Sequence, residues 1–226
     1  MRLLEKSQCH SGGVICPKSE LGQGKAMEEQ ICFLSETYQI DGLLDKNAGH
    51  KGVIVTHPHP LYGGDMYSYV VESLVRVYKK KGYTTLRFNF RSVENRWDYD
   101  NGIGEQSDVL AAMSYLSDSG ITQIDLAGYS FGTWINAKVG CKAHIENMVM
   151  ISPPAGFMNF EPLSPLPCLR LVITGSMDDI APPEMLKNMM PIWNPQAVFE
   201  LIEGADHFYV RHLGILENIL IRHIND

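Results

Sequence analysis

The stretch Leu126-Ala127-Gly128-Tyr129-Ser130-Phe131-Gly132 constrains this chain more than any other. It ends an apolar run from Ile121, interrupted by Thr122, Gln123 and Asp125, that reads as a buried strand stopping at a glycine before a helix-compatible segment. In a Gly-x-Ser-x-Gly corner the chain turns so sharply that the serine is strained and its neighbours must be small. Gly128 and Gly132 meet that need by removing two Cβ atoms. Such a turn lifts Ser130 Oγ clear of the sheet at a helix N-terminus, where unpaired N–H groups favour negative charge.

Alternating strands and helices surround this corner. Ile31–Leu34 and Tyr38–Leu44 read as an antiparallel edge hairpin, and Gly52–Thr56 as a strand buried on both faces. A helix follows with Tyr69, Val70, Leu74, Val77 and Tyr78 on its apolar face, capped by Asp65 or Ser68; then a strand from Thr84, and a helix carrying Ile103, Val109, Leu110, Met113 and Leu116. Beyond the corner, strands are predicted over Ile145–Ile151, Leu169–Thr174 and Val198–Ile202, and helices over Pro182–Met190 and Phe208–Ile224. The pattern predicts an α/β fold, a mostly parallel sheet with helices on both faces and reactive groups at the strands' carboxyl ends. Residues 1–26 read as a flexible leader and 27–226 as a single domain, since 226 residues with 45% hydrophobic content suit one core.

Bulk properties narrow the function classes. A net charge of −7 without a dense Lys/Arg cluster argues against nucleic acid or anionic membrane as a partner. No apolar run reaches a membrane span and the N-terminus lacks a signal-peptide core, so a cytoplasmic location is expected. The cysteines, Cys9, Cys16, Cys32, Cys141 and Cys168, are odd in number and scattered, which fits reduced thiols.

A serine hydroxyl is a poor nucleophile at neutral pH and needs a base oriented by a carboxylate. The segment Leu171–Pro182 places Asp178 just after a strand, with the adjacent Asp179 as its competitor, and Ile202–Phe208 places His207 in another post-strand loop. The order Ser130, Asp178, His207 predicts a triad. An oxyanion would be held by the N–H of Phe131 and by the His57–Leu61 loop, where Pro58 and Pro60 carry no N–H, leaving His59 or, less favourably, Leu61. His57 and His59 with Asp65 also open a metal-dependent alternative, although no matching ligand cluster accompanies them. A non-catalytic binding protein on the same fold is a third reading. No metal or cofactor is expected.

The chain resembles the α/β-hydrolases, in particular a small lidless bacterial subfamily related to dienelactone hydrolases and esterases. The resemblance is carried by His57-Pro58-His59-Pro60-Leu61-Tyr62-Gly63-Gly64, Arg87-Phe88-Asn89-Phe90-Arg91, Asp100–Glu105, Gly128–Gly132, Ile151–Pro154 and Gly204–Phe208. It implies a serine hydrolase with Ser130, Asp178 and His207 as its triad. The sequence departs from that pattern at Ser92–Trp97, where Gly-Val-Gly is usual. The linker Ser152–Pro167 is too short for a helical cap, so an open, shallow pocket edged by Leu61, Tyr62, Phe157 and Phe160 is expected, suited to a small-molecule ester with a short acyl chain. Arg91 and Glu105 are expected to form an ion pair beneath the loop, and Trp134 to pack against the sheet. Monomer and homodimer both remain open.

Overall fold

A computed structural model describes residues 28–142 and 144–224, so the leader expected over residues 1–26 lies outside the described residues. In chain order the elements are β1 (Glu29–Ser35), β2 (Tyr38–Asp45), β3 (Lys51–Thr56), α1 (Tyr69–Lys80), β4 (Thr84–Phe88), α2 (Ile103–Asp118), β5 (Gln123–Tyr129), α3 (Phe131–Val139), β6 (Ile145–Ile151), β7 (Leu169–Gly175), α4 (Pro183–Trp193), β8 (Val198–Ile202) and α5 (Leu213–His223). They form an 8-stranded sheet in the order β1-β2-β4-β3-β5-β6-β7-β8. The expected edge hairpin is present: β1 pairs antiparallel with β2, and β2 antiparallel with β4. From β4 to β8 every pairing is parallel. This is the α/β-hydrolase architecture, and between β6 and β7 lies only a single 3₁₀ turn, Glu161–Leu163, with no cap among the described residues.

Because successive side chains of a strand point to opposite faces, the central strands feed two cores. Ile54, Leu126, Met148 and Met150 join α2, α3 and α4 on one face, through Val109, Leu116, Ile135, Leu186 and Trp193. Val53, Val55, Ala127, Val149 and Ile151 join α1 and α5 on the other, through Val70, Leu74, Val77, Leu216 and Leu220. The β-branched run in β3 is thus buried on both sides, as a central parallel strand requires. The first helical residues depart from expectation. Tyr69 and Ile103 open their helices and are exposed, while the residues that follow them at once, Val70 and Val71 in α1 and Gly104 and Glu105 in α2, are buried. Ser68 is the N-cap of α1 without a side-chain bond, whereas Asp65 Oδ1 accepts from Tyr67 N one turn earlier. The last helix starts at Leu213, since the chain from His207 to His212 is held in turns.

The cysteines require a correction. Cys141 and Cys168 are joined by a disulfide, their Cα atoms 5.5 Å apart, whereas the sequence suggested reduced thiols. Cys141 follows the glycine that ends α3 and Cys168 precedes β7. The α3–β6–β7 crossover brings the two together, and a separation of 27 residues gives no local signal of it. Among the described residues no helix is long and apolar enough to cross a membrane.

A cross-link closing a loop of this length constrains the unfolded chain by about 3.5 kcal/mol in the chain-entropy model. Cys168→Ser should therefore lower unfolding stability by about 2–4 kcal/mol in denaturant titration, and wild type titrated with a reductant should match the variant. Coincident curves for oxidised wild type, reduced wild type and Cys168→Ser would show that the bond carries no stability.

Candidate active site

The corner after β5 has the geometry that its glycines predict. Ser130 has φ 53° and ψ −121°, a region that residues with a Cβ seldom occupy. A Cβ on Gly132 would lie 2.5 Å from Thr56 Oγ1 and 2.7 Å from Thr56 backbone, and one on Gly128 would lie 2.8 Å from Thr133 N. The corner is pressed against the end of β3, and only glycine fits on either side of the serine. Thr133 N–H and Oγ1 both donate to Ser130 O, while Ser130 N–H donates to Ile151 O at the end of β6. Phe131 is the first residue of α3, so its N–H has no acceptor within the helix.

Three post-strand loops converge on this serine. Ser130 Oγ lies 2.9 Å from His207 Nε2, and His207 Nδ1 lies 3.0 Å from each oxygen of Asp178. All three side chains are buried. The structure separates the two aspartates that the pattern left open: Asp178 turns inward and Asp179 is exposed to solvent. Asp178 Oδ1 accepts from Ile180 N and Ala181 N at 3.0 and 2.8 Å, and Oδ2 accepts from Ser152 Oγ at 2.7 Å. Burial alone would raise this carboxyl, but the bonds from His207, Ser152 and Ala181 outweigh it and hold the group below the usual carboxylate range.

The His57–Gly64 loop folds back on itself beside α3. Tyr62 N and Gly64 N both donate to His59 O, and a Cβ on Gly64 would lie 2.2 Å from Pro58 O. The His59 ring packs 4.4 Å from Phe131 and 4.9 Å from Tyr99, centroid to centroid, which sets the loop backbone next to the first turn of α3. Leu61 N–H, one of the two donors considered for this loop, is already directed at His59 Nδ1. Burial holds the His59 imidazole below its ordinary value.

His57 does not serve as a metal ligand. Its Nδ1 donates to Pro58 O at 2.6 Å and its Nε2 accepts from Phe90 N at 3.0 Å, so both ring nitrogens are engaged and the side chain straps the β3 loop to the end of β4. Asp65 is spent on a local turn. Among the described residues no group of three or more His, Cys, Asp or Glu could hold a metal ion.

Two further expectations are corrected. Arg91 pairs with Asp108 at 2.7 Å and Glu36 at 3.0 Å, and also donates to Ser35 Oγ; it makes no pair with Glu105. Glu105 is buried instead with Ser92 Oγ donating to one oxygen, and burial pushes its carboxyl above the usual range. One helical turn decides this: Asp108 faces the Arg91 backbone and guanidinium together. Phe160 does not edge a pocket either, since it is fully buried against Trp193 at 5.2 Å. Tyr62 and Phe157 are exposed and Leu61 is half-buried, and Trp97, Met177 and Phe208 are exposed as well, all between the strands and the long helices. Trp134 packs half-buried at the core's edge, its Nε1–H donating to Asn159 O.

Sequence reasoning missed the hydroxyls behind the Ser130–His207–Asp178 line. Ser152 bonds Asp178, Tyr209 OH lies 2.7 Å from Ser152 Oγ, and Tyr129 OH donates to His207 O at 2.8 Å. The one available signal was position, because Ser152 immediately follows β6 at the sheet edge that carries Ser130, Asp178 and His207.

The His57 strap makes a pH prediction. Burial depresses its imidazole to about 4 from an ordinary 6.5. Between those values the unfolded chain binds a proton that the folded chain does not, so this contribution is complete above pH 6.5 and is lost as pH falls toward 4. Asp125, pushed up to about 6 by burial, works in the opposite sense over part of the same window. Comparison with His57→Gln isolates the histidine. The stability advantage of wild type should shrink by about 1.4 kcal/mol for each pH unit crossed in that window, measured by urea titration at pH 7 and pH 5; an advantage independent of pH would refute the buried neutral imidazole.

No protein-family model matches the chain. It is 33% identical over 194 residues to the uncharacterized protein RP471 of Rickettsia prowazekii (strain Madrid E), a match covering 80% of this chain and 82% of that protein. Among solved structures, an alpha-beta serine hydrolase homologue from Coxiella burnetii superposes with a TM-score of 0.81 at 29% identity, covering 89% of this chain and 100% of its own. XC6422 from Xanthomonas campestris, described as a serine hydrolase without lid, superposes with a TM-score of 0.80 at 26% identity, covering 90% of this chain and 96% of its own. The chain thus belongs to the same family as the rickettsial protein and has the fold of the α/β serine hydrolases.

Proposed function

We propose that the protein is a serine hydrolase of the lidless subfamily marked by His57–Gly64, cleaving small or short-chain carboxylic esters, thioesters or lactones through an acyl-enzyme on Ser130. One observation carries this reading: the hydrogen-bonded line from Ser130 Oγ through His207 to Asp178, starting from a serine strained at a helix N-terminus. In the proposed cycle Ser130 Oγ attacks the carbonyl carbon while His207 Nε2 takes its proton. Asp178 holds the imidazolium that forms. The oxyanion is held by Phe131 N–H and His59 N–H, and its collapse expels the alcohol, which leaves with the proton from His207. Water then attacks the acyl carbon by the same route and regenerates Ser130.

The exposed loop side chains support a short acyl chain. Tyr62 and Phe157 are exposed and Leu61 is half-buried, so methylenes added against these side chains would gain little burial. The metal-dependent reading loses its support with His57, whose ring nitrogens are both engaged. A non-catalytic binding protein would have no use for three buried side chains held in a proton-transfer line.

The test is labelling with a fluorophosphonate probe. Wild type should label with or without a chelator, and Ser130→Ala should not label. Equal labelling of the two proteins, or none of a folded wild type, would refute the proposal. With p-nitrophenyl esters, Asp178→Asn should reduce kcat by about 10³–10⁴-fold, whereas Asp179→Asn should stay within about twofold of wild type. Equal losses would remove Asp178 from its assigned role.

A further inference from the structure

Behind the Asp178 carboxylate stand two residues whose backbones occupy unusual conformations. Ser152, the residue after β6, has φ 48°, and Tyr209, two residues past His207, has φ 56°. Both are fully buried. The left-handed region is unfavourable for a residue with a Cβ, and glycine would relieve it at either position. A side chain kept at such a site points to a use for the side chain, and here the two are used together: Ser152 Oγ and Tyr209 OH are 2.7 Å apart, and Ser152 Oγ is 2.7 Å from Asp178 Oδ2.

The chemistry assigns the direction of these bonds. An ionised carboxylate only accepts, so the single hydroxyl proton of Ser152 is donated to Asp178. Ser152 Oγ can then only accept from Tyr209, whose phenol is kept protonated by burial. The backbone contributes differently. Ile180 N and Ala181 N both bind Oδ1, which anchors one oxygen but leaves the carboxylate free to rotate about it. Oδ2 has two neighbours, His207 Nδ1 and Ser152 Oγ. Without Ser152 only the imidazole would hold that oxygen, and the imidazole is the group that the carboxylate has to orient.

We propose that Tyr209 and Ser152 form a positioning relay, Tyr209 O–H to Ser152 Oγ and Ser152 O–H to Asp178 Oδ2, that fixes the carboxylate plane and through it the His207 ring. Neither residue touches substrate. Ser152 acts through Asp178, and Tyr209 acts through Ser152. Tyr129, which donates to His207 O, braces the backbone of the same loop. The relay rests on the serine-hydrolase reading for its effect on rate, but its geometric content can be tested without turnover.

The variants are Ser152→Gly, Tyr209→Phe and the double substitution. Ser152→Gly removes the hydroxyl and suits φ 48°, so it keeps the backbone that Ser152→Ala would leave strained. Ser152→Gly should lower kcat on p-nitrophenyl acetate by about 10- to 100-fold with KM within about twofold, as expected for a misaligned catalytic group. Tyr209→Phe should cost about 3- to 10-fold. Because Tyr209 acts only through Ser152, the double variant should be no slower than Ser152→Gly. The far-downfield proton resonance of His207 Nδ1–H, read in the free protein, should shift or broaden in Ser152→Gly. Wild-type kcat in the folded single variants, multiplying losses in the double, or an unmoved resonance would each overturn the relay. A wild type that fails to label with fluorophosphonate would instead refute the hydrolase reading, and the resonance would still decide whether Ser152 sets the Asp178–His207 geometry.

Discussion

The contact between Thr56 and the corner at Ser130 is the constraint on which the site depends. Backbone and hydroxyl of Thr56 come so near that no Cβ fits at Gly128 or Gly132. The strand β5 must therefore enter, and α3 must leave, along one path, with the serine in a strained conformation between them. Strain of this kind persists only where surrounding structure over-determines it. Here the surroundings are two cores, one on each sheet face, and backbone bonds from Thr133 to Ser130 and from Ser130 to Ile151.

Once the corner is fixed, the parallel sheet delivers the rest. Parallel strands end on the same edge, so the loops after β3, β5, β7 and β8 meet without long excursions. The His57–Gly64 loop sets its backbone beside Phe131, the β7 loop sets Asp178, and the β8 loop sets His207. The first and last of these loops, and the β4 loop beside them, are secured by groups with no part in the proposed chemistry. His57 straps one loop to Phe90, Arg91 ties the β4 loop to α2 and the hairpin turn, and Tyr129 holds the His207 backbone.

What was legible in the sequence followed local rules. The continuous β-branched run of β3, buried on both faces, the glycine pair around Ser130 and the position of His207 after a strand all need only near neighbours to be recognised. The failures arose where a side chain chooses among distant partners. Arg91 selected Asp108 over Glu105, one helical turn away, because the loop backbone and guanidinium both face Asp108. Phe160, in a linker with no periodic signal, turned inward to Trp193. Cys141 and Cys168 met through a crossover. Asp178 and Asp179 were indistinguishable by pattern, and the turn that buries one and exposes the other appears only in three dimensions.

By itself the sequence determined the fold class, the glycine-flanked corner at Ser130 and the chain order of Ser130, Asp178 and His207 in three post-strand loops. These follow from strand and helix periodicity, glycine sterics and the need for reactive groups at strand ends, all of which act over a few residues. Only the tertiary structure decided which carboxylate faces His207, that His57 is a strap, and that Ser152 and Tyr209 stand behind Asp178. Those choices depend on burial and on hydrogen-bond geometry between loops up to 57 residues apart, as Ser152 and Tyr209 are, where a buried polar group takes whichever partner the packing presents.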